Sequence, residues 1–92
     1  MIKSFKHKGL KKFFDTGSKA GINPSHAQRL EEQLYALDMA LSPDDVDFNG
    51  WFLHPLQGSL TGHWSIRVSG NWRVTFRFAG TDVEVVDYQD YH

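Results

Sequence analysis

Ionisable side chains that can exchange protons are concentrated at the C-terminal end of the sequence. The last six residues, DYQDYH, hold two carboxylates, two phenols and an imidazole, and they follow a run typical of a β-strand. His54 stands directly before Pro55, which favours an extended backbone at that position. Imidazole groups give and take protons near neutral pH, and arginine forks bind phosphate oxygens. These residue types favour chemistry on a phosphate group if the fold brings them together.

Size and composition predict one globular domain over residues 1–92. The chain has 92 residues, of which 40% are apolar and 14% aromatic, and this is enough for one small packed core. It has no cysteine, so disulfides and thiolate metal sites are excluded. The histidines lack metal-ligand spacing. We therefore predict neither a metal nor a cofactor.

The distribution of charge says more than the net charge of −1. Residues 1–30 carry seven Lys and Arg against one acid, whereas residues 31–60 carry six acids and no Lys or Arg. The basic stretch could contact a polyanion, although a basic helix is often only a solvated one. There is no apolar run long enough for a signal peptide or a membrane span. We expect a cytoplasmic protein without a membrane partner.

Apolar spacing predicts two helices in the first half of the chain. Leu10, Phe13 and Phe14 lie at helical spacing, and Gly17 is a natural stop. After Asn23-Pro24, a second helix of about 17 residues should end before Pro43. Its apolar stripe would consist of Ala27, Leu30, Leu34, Leu37 and Leu41.

From Trp51 onward the apolar period changes to two, which predicts three strands in a meander with loops at residues 69–71 and 79–82. IKSF near the start could add a short strand. With one face apolar, the fold class is α+β, with two N-terminal helices on one face of a small, mainly antiparallel sheet. The expected cross-strand pairs are Val68–Trp72, Ile66–Val74, Trp64–Phe76, Phe78–Val83 and Phe76–Val85.

In this register the opposite face sets Arg67 across from Arg73, and Arg77 across from Glu84. Like charges on neighbouring strands destabilise a sheet, so the first pair suggests a phosphate site. The alternative is that both side chains point apart into water.

Extending the last strand in the same register places Tyr88 beside Arg73 and Asp90 beside Asn71. His92 continues on the same side. We therefore expect Tyr88, Asp90 and His92 on the face that carries Arg67 and Arg73.

Four blocks of the sequence together resemble the HigB killer toxins of the RelE/ParE toxin–antitoxin superfamily. They are MIKSFKHKGL, LHPLQG, WSIRVSGNWRVTF and DYQDYH, and the resemblance runs from Met1 to His92. It implies a ribosome-dependent endoribonuclease that cuts mRNA in the ribosomal A site. It also implies a HigA antitoxin with a helix-turn-helix fold, which binds away from the active-site face and makes the contacts with operator DNA.

The resemblance also implies roles for individual residues. Attack by the RNA 2′-hydroxyl without a metal needs a base, an acid and a cation. The base would be Asp90 or His92, the acid His54 or His92, and the cation Arg73, while Tyr91 would stack on a base or bind the phosphate. Gln57 replaces the lysine usual in the middle motif and brings no charge. The expected RNA contacts are Arg67, Gln57, Asn71 and Tyr88.

Two other functions compete with this interpretation. A ParE-like protein would poison DNA gyrase and cleave nothing, and the shared fold does not decide between the two activities. A non-catalytic domain could instead bind RNA or a protein through its tryptophans. The register places Trp64 and Trp72 in the core and leaves Trp51 open.

Overall fold

Two helices cover one face of a four-stranded antiparallel sheet in the computed structural model, which describes residues 1–91. The helices are α1 (Lys8–Thr16) and α2 (Ala27–Met39). The strands are β1 (His54–Pro55), β2 (His63–Ser69), β3 (Trp72–Ala79) and β4 (Asp82–Asp90), and they lie side by side in chain order. Short 3₁₀ turns cover Pro24–His26, Pro43–Val46 and Gly58–Leu60. The predicted α+β class is confirmed.

Helix α1 ends where the sequence predicts, and a side chain caps its start. The Nδ1 atom of His7 accepts a hydrogen bond from the Leu10 N–H at 2.9 Å and caps the first turn. Gly17 closes the helix with a φ of 80°, and its N–H donates to the Phe13 carbonyl. Leu10 and Phe13 are buried, so the apolar side of α1 faces the core.

Helix α2 is shorter than the apolar spacing predicts. The Pro24–His26 turn precedes it, and Asn23 caps that turn through its side chain. The helix ends at Met39, so Leu41 lies outside it and is 64% exposed. The prediction that Leu41 belongs to the apolar stripe was wrong. The other members of the stripe are buried against a sheet core of Ile66, Val74, Phe76, Val83 and Val86.

The edges of the sheet differ from the prediction. The IKSF segment forms no strand and makes only two isolated parallel bridges to β4, Ile2 to Val83 and Phe5 to Val86. On the other edge the short strand β1, which the sequence analysis missed, pairs His54 with Ser65. Among residues 1–91, neither helix is long and apolar enough to cross a membrane.

The predicted register holds in the middle of each hairpin and shifts at two bulges. Trp64–Phe76, Ile66–Val74, Phe78–Val83 and the two outer-face pairs, Arg67–Arg73 and Arg77–Glu84, are confirmed.

Beyond Arg67, Trp72 pairs with Ser69 instead of Val68, so the prediction there was wrong. Beyond Arg77, β4 carries one extra residue, and Val85 adopts a φ of 50°. An extra residue turns all later side chains to the other face.

Candidate active site

The sheet face away from the helices, called the open face below, brings the polar side chains of all four strands together. Pairing places them in three rows across the strands. One row holds His54, Ser65, Thr75 and Asp87, the next holds Arg67, Arg73 and Gln89, and the third holds His63, Arg77 and Glu84. Ser65 and Thr75 are buried at the centre, so the longer side chains rise around a floor of two hydroxyl groups.

His54 is exposed on the edge strand with its tautomer fixed. Its Nδ1 atom lies 2.9 Å from the carbonyl oxygen of Phe52. A carbonyl oxygen can only accept, so Nδ1 carries the proton and donates it. The Nε2 atom is therefore the one that can take up or release a proton. Pro55 keeps this segment extended beside β2, which holds the ring at the sheet edge.

The two arginines pair across β2 and β3 but their guanidinium groups diverge. Arg73 folds back over the hairpin turn, where Nη1 donates to the carbonyls of Gly70 at 2.8 Å and Trp72 at 3.1 Å. Arg67 leans the other way and lies 5.5 Å from the ring centre of Phe52. Within residues 1–91 neither has a salt-bridging carboxylate, whereas Arg77 is paired with Glu84. The described part of the open face therefore keeps two positive charges without carboxylate partners, although they do not converge on one point.

The bulge at Val85 overturns the predicted orientation of the C-terminal strand. Gln89, not Tyr88, pairs with Arg73, and Asp90 pairs with Trp72 instead of Asn71. Tyr88 is only 4% exposed and lies on the core side, which leaves its ring no surface for RNA. Strand parity also puts Asp90 on the side of Trp72. The expectation that both residues lie on the arginine-bearing face was wrong.

Tyr91 is held close to the turn that Arg73 contacts. Its N–H donates to the carbonyl of Asn71 at 2.9 Å, so the chain continues the ladder past the end of β4. Asn71 itself is exposed in the turn. His92, the last of the predicted catalytic residues, lies outside the described residues.

Several residues of the open face were missed by the sequence analysis. Gln89 donates to Asp87 at 2.8 Å and to Thr75 at 3.3 Å, which links two of the rows. The bulge at Val85 turns Gln89 onto the open face, and no residue in the stretch VEVV, residues 83–86, predicts a bulge. Phe52 was missed as well; it is exposed, it lies under Arg67, and its carbonyl orients His54.

Gln57 stands at the start of the Gly58–Leu60 turn and is exposed. Its carbonyl accepts from the Leu60 N–H at 3.3 Å, so its backbone belongs to the turn. Its side chain makes no hydrogen bond to any of residues 1–91. A side chain of this kind is available to a ligand.

The rings of His26, Trp72 and Tyr88, called the buried aromatic group below, contact one another on the core side of the sheet, behind the open face. The Tyr88 hydroxyl lies 2.6 Å from Nδ1 of His26, and its ring stacks on Trp72 with centres 4.6 Å apart. Burial lowers the pKa of His26 and raises the pKa of Tyr88, the latter opposed by a hydrogen bond from the Asn23 N–H. Both groups are therefore neutral near pH 7, with the hydroxyl donating to His26.

A family model described as the RelE-like toxin of the type II toxin–antitoxin system HigB matches residues 3–92. The chain belongs to this HigB-like toxin family. Over 92 residues it is 44% identical to the Endoribonuclease HigB of Proteus vulgaris, with both chains covered completely. The resemblance seen in the four sequence blocks is confirmed.

Solved structures show that the HigB-like chain shares its fold with other toxins. A chain of the YoeB–YefM complex from Staphylococcus aureus matches with a TM-score of 0.64 at 18% identity, covering 100% of this chain and 95% of the other. A YoeB/ParE toxin from Agrobacterium tumefaciens matches with a TM-score of 0.62 at 16% identity, covering 99% and 98%. YafQ from E. coli matches with a TM-score of 0.54 at 16% identity, covering 97% and 92%.

Proposed function

We propose that this HigB-family endoribonuclease is an mRNA interferase that cuts the message in the ribosomal A site and so arrests translation in the cytoplasm. Full-length identity of 44% to an endoribonuclease supports the reaction class. The observation that carries the proposal is the open face itself. A histidine with a fixed tautomer shares this face with two arginines that have no salt bridge within residues 1–91.

In the proposed reaction the 2′-hydroxyl of the message attacks the adjacent phosphate without a metal ion. The phosphate would lie between His54 and Arg73, whose Cα atoms are separated by roughly 12 Å given the usual strand spacing and rise. Arg73 stabilises the charge that develops on the phosphorane. Protonated His54 delivers its Nε2 proton to the 5′-oxygen that leaves.

The base that takes the 2′-hydroxyl proton comes from the C-terminal residues. His92 or Asp90 fills this role, and Tyr91 contacts the phosphate or stacks on a base. Parity places Asp90 on the side of Trp72. Arg67, Gln57 and Asn71 would contact neighbouring parts of the RNA strand.

The test is message cleavage on translating ribosomes, read beside growth arrest after induction. We expect Arg73→Ala to lower the cleavage rate by about 100- to 1000-fold, the usual cost of one oriented charge-stabilising donor. His54→Gln, His92→Gln and Asp90→Asn test the proton carriers. The matched control is Arg77→Ala, an arginine on the same face that Glu84 already neutralises. If the Arg73 and histidine variants cut as fast as the parent, the site assignment is wrong.

The same preparations decide between nuclease and gyrase poison. A supercoiling assay with purified gyrase should show no inhibition by the parent protein. Inhibition of gyrase together with intact messages would overturn the proposed reaction.

We further propose that a HigA-like antitoxin with a helix-turn-helix fold covers the helical side and contacts operator DNA in the toxin's place. The HigB-like family consists of toxins of toxin–antitoxin systems, which supports an antitoxin partner. A groove of about 360 Å³ runs between α1 and α2, and its lining combines Phe13, Phe14, Leu34 and Tyr35 with the charged residues Lys19, Glu31 and Asp38. Tyr35 is 69% exposed, and the exposed side chains of Met39 and Phe48 extend the apolar surface beyond it.

Binding to the purified antitoxin tests this surface. We expect Tyr35→Asp to weaken antitoxin binding at least tenfold and leave message cleavage unchanged, because Tyr35 lies on the helical side. Gln28→Asp, an exposed position of the same helix outside the groove, is the control. Full affinity of the Tyr35 variant would place the antitoxin elsewhere.

A further inference from the structure

Phe52 holds a conformation that its side chain does not favour. Its φ is 51°, in the left-handed region where a bulky residue is rare outside strained or functional sites. Phe52 is 61% exposed, although Trp51 beside it is buried. Core packing therefore does not explain why a large apolar ring stands at this position.

The backbone around Phe52 is fixed from two directions. The Arg67 N–H donates to the Trp51 carbonyl at 2.7 Å, which ties the loop to β2. The Phe52 carbonyl accepts the Nδ1 proton of His54 at 2.9 Å. The strained residue is therefore built into the edge of the open face, next to the proposed acid.

The Phe52 ring and the Arg67 guanidinium form one unit. The guanidinium carbon lies 5.5 Å from the ring centre, within the range of a cation–π contact. This contact holds the ring in place, and Arg67 has no salt-bridging carboxylate among the described residues. A preformed aromatic surface beside an unneutralised arginine suits one nucleotide of single-stranded RNA, whose base stacks while its phosphate meets the charge.

We propose that Phe52 and Arg67 form a nucleobase subsite that receives the base next to the scissile phosphate. The ring of Phe52 stacks on that base, and a purine binds best because it offers the larger stacking surface. Arg67 fixes the ring and contacts the phosphate of the same nucleotide. This subsite rests on the proposed function, since it assigns a base position to the RNA strand on the open face.

Three substitutions at Phe52 separate stacking from structure. Phe52→Leu keeps an apolar side chain of similar volume and removes the aromatic surface. Phe52→Trp keeps that surface. Phe52→Gly removes the side chain but favours the same backbone φ, so the carbonyl that orients His54 should stay in place. Position 52 is exposed enough for all three variants to fold, which circular dichroism checks.

The first readout is the affinity for two 2′-O-methyl RNA decamers, one of adenine and one of uracil, which the toxin cannot cleave. We expect the parent and Phe52→Trp to prefer the adenine decamer. Phe52→Leu and Phe52→Gly should bind it about 5- to 100-fold more weakly, the usual effect of losing one stacked base, and should lose the preference. Arg67→Gln should weaken binding to both decamers.

The second readout is the map of cut sites on translating ribosomes. Phe52→Leu should lose the purine preference at one nucleotide beside the cut. The substitution should raise KM and change kcat little. Equal affinities and equal maps for the parent, Leu and Gly proteins would overturn the subsite.

Loss of ribosome binding with unchanged decamer affinity would also overturn it, in favour of a protein contact. Absence of cleavage by the parent would count against the proposed function alone, because the decamer affinities decide the subsite separately.

Discussion

Positive charge on the open face is local and does not follow from the composition of the chain. The net charge is −1, yet Arg67 and Arg73 lie on one face without carboxylate partners in the described part of the chain. Their divergence removes most of the repulsion that like charges on neighbouring strands would otherwise cause. An RNA strand crossing the face would therefore meet separate positive charges along its length.

A substitution at Gln57 tests whether positive charge on the open face strengthens RNA binding. Its side chain is exposed and makes no hydrogen bond in the described part of the chain, so Gln57→Lys should add one phosphate contact without disturbing the fold. We expect tighter binding of single-stranded RNA at low salt and a salt dependence steeper by about 0.7 in log–log slope, the counterion release of one added contact. Fluorescence anisotropy between low and high salt measures both.

The control for this substitution is Gln28→Lys on α2, which adds the same charge on the helical side. If both lysines steepen the salt dependence equally, the effect arises from net charge and the RNA does not follow the open face near Gln57.

At the scale of elements, a close approach of two glycines joins α1 to the loop before α2. A Cβ atom built on Gly9 would lie 2.5 Å from the carbonyl oxygen of Gly21, and one on Gly21 would lie 2.6 Å from the Gly9 Cα. Both neighbours are backbone atoms that cannot rotate away. The position of α1 on the molecule thus depends on the absence of two side chains.

Gly9→Ala should destabilise the protein although alanine is the better helix former. We expect the free energy of unfolding in urea to fall by about 1–3 kcal/mol, the usual cost of overpacking. Lys12→Ala, an exposed position of the same helix, should change it by less than about 0.5 kcal/mol. If Gly9→Ala is as stable as the parent, α1 can shift and the contact does not position it.

The sequence predicts the helices and the hairpin centres because they depend on periodic burial, which is local information. It does not predict the bulge at Val85, because that feature depends on a distant segment. The Val85 N–H donates to the Ser4 side chain at 2.9 Å, and Ser4 also accepts from the Val86 N–H through its carbonyl. These contacts between Ser4 and β4 offset the free-energy cost of the left-handed backbone conformation at Val85.

The bulge also decides how much of the site could be predicted. Arg67 and Arg73 precede it, and their position on one face follows from alternation alone, whereas the pairing of His54 at the sheet edge was missed. Tyr88 and Asp90 come after it, so an argument from parity turned both to the wrong side. The resemblance to HigB toxins named residues of the C-terminal run, but it carried no information about their orientation.

For the whole molecule, the two faces of the sheet depend on each other through the buried aromatic group. Tyr88 stacks on Trp72 and bonds to His26, while the next residue, Gln89, lies beside Arg73. The geometry of the open face at Gln89 and Tyr91 is therefore set from the core side. A change in the protonation of His26 should reach both the stability of the fold and the C-terminal strand.

Acidification should destabilise the protein through His26. The ordinary histidine pKa near 6.5 describes the unfolded chain, and burial lowers the pKa in the folded state. Above pH 6.5 both states are neutral and the full stability is present. As the pH falls below 6.5 the unfolded chain binds a proton that buried His26 does not, and stability declines by up to about 1.4 kcal/mol per pH unit until the pH reaches the folded pKa. Urea unfolding from pH 8 to pH 5 measures the slope.

Two variants separate the effect of His26 titration on stability from the effect of the other four histidines. His26→Asn keeps an acceptor for the Tyr88 hydroxyl but cannot titrate, so its stability should change less with pH than that of the parent. Tyr88→Phe leaves His26 Nδ1 buried without its partner and should cost about 1–3 kcal/mol near pH 7. It should still lose stability in acid, because burial and not the hydroxyl lowers the pKa of His26. Identical pH profiles for the parent and His26→Asn would show that the acid sensitivity resides in another group.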